Sequence, residues 1–230
     1  MGLLARCIGV MTSPRATFQS VAAHPKWLGA LLVVTIIVAA GVSLPLTTEA
    51  GQQSQLDNQV RAIEGFGGEV NAEMYASMKR SMRFAPVQTF VTILIMGPLM
   101  SVIFSGILFG MFTVFGGQAT FKQLFAVYVH STVVTAVAQL FTGPLNYFRG
   151  SMSSATNLAV LLPMVSDQSF FGRLLGMIDL FWIWWLIVLS IGLAVLYVRR
   201  TQSIAYILFG IYALGAVLIA TVMNLFGRSN

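Results

Sequence analysis

The sequence predicts an all-α integral membrane protein: a bundle of five transmembrane helices, with short interfacial helices in the N-terminal arm and first loop. Composition is the first reason. Of 230 residues, 57% are hydrophobic and only 9% charged, too little charge to cover the surface of a soluble domain of this size. The second reason is a pair of uncharged runs. No Lys, Arg, Asp or Glu occurs between Arg83 and Lys122, nor between Lys122 and Arg149, and each run exceeds the roughly 20 residues a helix needs to cross a bilayer core. The third is the polar hinge that separates them, Gly116-Gly117-Gln118-Ala119-Thr120-Phe121-Lys122. Gly116 and Gly117 can take the left-handed conformation that ends a helix, and Thr120 with Gln123 has capping-box spacing to start the next.

Taken in order, residues 1–26 form a basic interfacial arm and residues 27–230 a single transmembrane domain. In the arm, Leu3, Leu4, Cys7, Ile8 and Met11 share one helical face. Ser13 and Pro14 have the types expected of an N-cap and first-turn proline opening a second short helix. Trp27 to Thr48 is a full-length span (27–48), longer than the apolar core of a secretory signal, and is expected to stay on the chain. Residues 49–85 are the one long polar loop. Two amphipathic helices are readable there, the first with Leu56, Val60 and Ile63 on one face and an Asp57–Arg61 pair at i,i+4. Glycines 65, 67 and 68 separate it from a second with Val70, Met74, Met78 and Met82 aligned, its acids first and its bases last as the helix dipole favours.

The second span (86–115) contains Gly97-Pro98, where a missing backbone donor predicts a kink, and Gly106 and Gly110 at GxxxG spacing. The third (121–147) carries His130 well inside the hydrocarbon. Residues 148–173, after Gly143-Pro144, read as a re-entrant or surface segment whose Leu158 to Val165 forms a short helix ending near Pro163. Gly172 and Gly176 repeat the GxxxG spacing. The fourth span (179–198) opens with Asp179 ahead of Trp182, Trp184 and Trp185, an interfacial aromatic belt, and ends at Arg199-Arg200. The fifth (204–226) follows a tight polar turn, and Gly227 to Asn230 end the chain. The segments holding Arg6, Arg15, Lys26, Lys122, Arg199 and Arg200 are shorter and more densely basic than the others, which predicts a cytoplasmic N-terminus.

The chemistry is mostly exclusion. The thirteen basic residues give a net charge of +6, but they occur as ones, twos and threes between apolar runs. That distribution suits anionic headgroups and no nucleic acid. One cysteine, Cys7, excludes an intrachain disulfide, and two distant histidines offer no metal cluster. No GxSxG elbow, HExxH motif or phosphate loop is present, so no catalytic residue, cofactor or metal is expected. The ionisable residues singled out are His130 and Asp179, an intramembrane polar pair able to serve a proton or ion path if the bundle brings them together.

Several blocks resemble a known family. Leu3-Leu4-Ala5-Arg6, Pro14-Arg15-Ala16-Thr17-Phe18 and His24-Pro25-Lys26-Trp27 are similar to the start of small prokaryotic Yip-domain membrane proteins. Gly116 to Gln123 with Val127-Tyr128, and Asp179-Leu180-Phe181-Trp182-Ile183-Trp184, resemble that family's two recurrent blocks. The resemblance covers nearly the whole chain and implies five membrane helices, a cytosolic N-terminus and no enzymatic activity. Eukaryotic members interact with Rab GTPases and with one another in vesicle trafficking. This sequence lacks their long cytosolic N-terminal region and its Asp-Leu-Tyr-Gly-Pro motif, so GTPase binding is not expected to carry over.

The expected function is therefore a non-enzymatic scaffold or adaptor, associating through its helices with another membrane protein or with itself. The expected location is the bacterial cytoplasmic membrane. The alternative is a small-solute or ion transporter or channel using His130 and Asp179, with Gly97-Pro98 as a moving point. An intramembrane enzyme would have to build its site from scattered serines with the same two residues.

Overall fold

The structure, a computed structural model, describes residues 1–162, 164–166 and 169–226, and Leu161 and Phe226 by backbone alone. Among the described residues the regular structure is helical, with one isolated bridge between Asn157 and Asp179. The elements are α1 (Leu3–Thr12), α2 (Pro14–Ala23), α3 (Leu28–Ser43), α4 (Glu49–Gly65), α5 (Ala72–Ser81), α6 (Ala85–Val114), α7 (Phe121–Ser131), α8 (Val133–Arg149), α9 (Phe170–Met177), α10 (Leu180–Leu196) and α11 (Thr201–Phe226).

Among the described residues four helical stretches are long and apolar enough to cross a membrane: Leu28–Thr47, Ala72–Val114, Phe121–Arg149 and Thr201–Leu225. The chain is an integral membrane protein. Helix α10 is apolar but shorter, at 17 residues, so of the five expected spans four reach membrane-crossing length among the described residues.

The chain divides into two compact units. The first comprises Met1–Val38, Thr92–Ala138 and Phe181–Gly210; the second Ala39–Val91, Gln139–Leu180 and Ile211–Asn230. In the first, α1, α2 and α7 pack on one another, and Cys7 and Met11 lie against Val34, Val133 and Ala136. Trp27 meets Phe125 edge-on at 5.1 Å. In the second, α4, α5 and the start of α6 close over a small core of Leu46, Leu56, Met82 and Ala85. Thr48 caps α4 by accepting from the Gly51 N–H, and Asn71 caps α5 by accepting from that of Met74.

Local expectations are corrected at several points. In α1 the apolar stripe is divided: Leu4 is 75% exposed and Ile8 is exposed as well, while Arg6, Gly9 and Val10 form the buried side. In a membrane protein an exposed apolar face meets lipid without cost, so periodicity locates the stripe without saying which way it turns. Ser13 occupies the N-cap position of α2, but its side chain makes no cap; its carbonyl accepts from the Thr17 hydroxyl instead. The Asp57–Arg61 pair is replaced by two nearer amide contacts, Gln53 to Asp57 at 2.8 Å and Arg61 to Asn58 at 2.6 Å. The third span is two helices, broken at Thr132. There Ser131, Thr132 and Thr135 each donate a hydroxyl to the carbonyl three residues back, a competing pattern that loosens the backbone ladder. In the segment after α8 the expected short helix is a one-turn 3-10 helix at Leu158–Leu161, followed by α9 from Phe170, and Pro163, its expected stop, lies outside the described residues, as do Gly227 to Asn230.

Candidate functional site

His130 sits one residue before the end of α7, fully buried in the first unit. Its Nδ1 is 2.8 Å from the Ala126 carbonyl. A carbonyl can only accept, so Nδ1 carries the proton and Nε2 presents its lone pair. That Nε2 is buried without a hydrogen-bond partner. The neighbouring Ser131 hydroxyl accepts from Trp185 Nε1 at 3.1 Å while donating to Tyr128, and Tyr128 meets Trp185 edge-on. One tryptophan of the expected aromatic belt is thus tied into the protein, whereas Trp182 remains half exposed.

The first unit also holds a buried cation that sequence reasoning did not single out. Arg6 is 4% exposed; it donates from Nη1 to the His24 carbonyl at 2.9 Å, and its Nε is unpartnered. Its charge acts on His130 through space. The signal was available, because Arg6 is the lone charge in an otherwise apolar helix.

Asp179 lies in the second unit, immediately before α10. Ser154 and Thr156 both donate hydroxyls to its Oδ2, at 2.7 and 2.6 Å. Around it, Leu158 N–H donates to the Ile178 carbonyl and Leu180 N–H to that of Thr156, while the Tyr212 hydroxyl donates to the Met177 carbonyl. The acid pins an irregular segment to the start of α10. His130 and Asp179 each have partners inside their own unit.

The hinge is built by hydrogen bonds. Gly117 N–H donates to Phe112 and Gly116 N–H to Thr113, the paired closure that ends a helix on a left-handed residue, and Gly116 has φ +79°. Thr120 and Gln123 form a reciprocal capping box at the start of α7, and the Gln123 amide reaches the Ala22 carbonyl of α2. Gly117 has a packing role too: a Cβ there would stand 2.4 Å from the Tyr197 ring, which stacks on Phe112.

The other glycines separate into used and open positions. A Cβ at Gly106 or Gly110 would meet nothing within 4 Å. The buried Gly172 donates its N–H to the capping Ser169 hydroxyl at the start of α9, and the Gly176 carbonyl accepts from Asn157. Gly97 faces Thr35 of α3 at ordinary contact distance, and α6 continues unbroken through Pro98. Close helix contacts also involve glycines the spacing rule did not select: Gly143 of α8 against Gly41 of α3, and Gly192 of α10 against Val127 and Phe18. Among the described residues, no three His, Cys, Asp or Glu side chains converge as metal ligands.

Charge also sorts by unit. The segments of the first contain Arg6, Arg15, Lys26, Lys122, Arg199 and Arg200 but no Asp or Glu, so that unit carries a formal +6. Every acidic residue of the chain lies in the segments of the second, balanced there by an equal number of bases.

An apolar helical protein with this hinge and this acid-led aromatic helix matches one family pattern, the Yip1 domain, over residues 8–223. The chain belongs to the Yip1 domain family. Comparison with curated proteins and with solved structures gives no match. Yip1 domain proteins are membrane proteins, and the family is not known as enzymatic.

Proposed function

We propose that this Yip1 domain protein is a non-enzymatic membrane scaffold or adaptor that works by helix–helix association, with the Gly106–Gly110 face of α6 as its contact surface. The observation that carries this is the openness of that face. Both glycines lack any neighbour within 4 Å of a Cβ, Ile103 and Ile107 beside them are exposed, and the most apolar window of that span is only 6% buried. Small residues let two helix backbones approach closely, and in lipid such packing is a main source of association. The partner is a second copy or another membrane protein, in membrane organisation or trafficking.

In this reading α10 is the fifth span, since 17 residues at about 1.5 Å each nearly match a hydrocarbon core of about 30 Å. Residues 27–230 then act as one transmembrane domain carrying the arm 1–26. The acid-free, basic first unit supports a cytoplasmic N-terminus in a bacterial inner membrane. The test is energy transfer between labelled chains in nanodiscs or native membranes. Wild type should associate and G106L/G110L should not, with its melting temperature unchanged because both positions are open. Monomeric wild type, or an unaffected double variant, refutes the surface.

A second reading, transport of a small solute or ion with His130 and Asp179 in its path, is favoured by the buried, unpartnered Nε2 of His130. Proteoliposome flux that disappears in H130F would support it, and absence of flux in wild type would end it.

A further inference from the structure

We propose that the groove beside the α6–α7 hinge seats the phosphate headgroup of an anionic phospholipid, with Arg199 and Arg200 as its cations. The groove, about 980 Å³, belongs wholly to the first unit and is lined at its polar end by Gln118, Tyr197, Arg199, Arg200 and Ser203. Both arginines are exposed, and neither side chain makes a hydrogen bond or ion pair among the described residues. No counter-ion exists inside the unit, because its segments contain no Asp or Glu. The charge that balances this pair must come from outside.

Depth and shape identify what supplies it. Arg200 directly precedes Thr201, the first residue of an apolar span, while α10 ends at Leu196, so both guanidiniums stand where a span meets the headgroups. Between them and α10, Val198 holds φ 52° while 91% exposed. A β-branched residue rarely adopts that conformation, and this turn sets the arginine pair at the groove. Tyr197 is fixed by stacking on Phe112 at 4.8 Å and by the absence of a side chain at Gly117, and its hydroxyl is buried without a partner. Apart from Gln123, the side chains of the rest of the wall are apolar, including the exposed Phe115 and Ile207. A phosphate with bidentate donors on one side and hydrocarbon on the other is the chemistry of a phospholipid rather than of a free anion.

The experiment is native mass spectrometry of the full chain in detergent, offered phosphatidylglycerol and phosphatidylcholine at equal concentration. Wild type should retain phosphatidylglycerol preferentially. Each of R199Q and R200Q should lower that preference about fivefold and the double variant about 30-fold, from about one unit of surface attraction per cation. R149Q, which removes an exposed charge in the second unit, should leave it unchanged. The proposal is overturned if wild type shows no preference, if both single variants keep it, if R149Q loses as much, or if inorganic phosphate displaces the lipid at equal concentration.

Discussion

The close approach of α3 and α8 within the second unit gives the most direct stability test. A Cβ at Gly143 would stand 2.8 Å from the Gly41 carbonyl oxygen and 3.0 Å from Gly41 Cα, well inside the roughly 3.5 Å at which heavy atoms begin to attract. Both obstacles are backbone, so no rotamer change relieves Gly143→Ala; the helices must part by roughly 0.7 Å to restore that separation. Overpacking of this kind costs about 1–3 kcal/mol. In water the better helix propensity of alanine would return about 1 kcal/mol. In a bilayer the dissociated helix is already helical, so that return largely vanishes. Taking about 2 kcal/mol, and about 2–4 °C per kcal/mol for a chain of this length, the melting temperature should fall by about 4–8 °C. Melting in nanodiscs followed by tryptophan fluorescence measures this, with Gly106→Ala as the open-position control, expected within about 0.5 kcal/mol of wild type. A Gly143→Ala protein that melts with wild type refutes the contact. Gly41→Ala crowds the same crossing, with Gln139 Cβ at 2.7 Å, so the two losses should combine to less than their sum.

Two further outcomes test the polar groups. Asp179→Ala leaves the Ser154 and Thr156 hydroxyls without their acceptor and should cost about 2 kcal/mol, seen as faster amide exchange through residues 154–158. Asp179→Asn keeps an acceptor and should lose less; identical exchange in both variants and wild type would remove the pinning role. Burial pushes the Cys7 thiol above its ordinary 9.0, and only the thiolate attacks maleimide. The native value being the raised one, burial of the neutral thiol stabilises the fold below the unfolded pKa, and that contribution is lost as pH rises through the native pKa. Labelling of Cys7 should therefore be slower in the folded than in the denatured chain, and most so below the ordinary value; equal rates would contradict its burial.

What was legible in the sequence was local. Runs without charge announce membrane helices because lipid tolerates neither charge nor unpaired backbone, and paired glycines with Thr120 and Gln123 announce the hinge because its hydrogen bonds join residues a few positions apart. The break at Thr132 was missed, since 121–147 was read as one span, although Ser131, Thr132 and Thr135 form a hydroxyl cluster that competes with the helix ladder. The segregation of charge was legible as well: Arg6, Arg15, Lys26, Lys122, Arg199 and Arg200, which the span pattern already groups, are the bases of the acid-free first unit.

The direction in which a residue faces was the harder matter, and the bilayer is the reason. In water, an apolar face turns inward because outward is costly, so periodicity gives orientation. In lipid, inside and outside are both apolar, and the same periodicity gives only a stripe. Hence Leu4 and Ile8 face outward while Arg6, which needs a carbonyl, turns inward to His24. Hence also the GxxxG pair at Gly106 and Gly110 is open, whereas Gly41, Gly143 and Gly192, which lie outside that spacing, stand at close crossings. A small residue permits close approach without specifying a partner; the partner is set by which helices the connections and polar ties bring alongside. At Gly106 and Gly110 a Cβ meets nothing within 4 Å among the described residues, and that openness is why the proposed association is to be tested on α6.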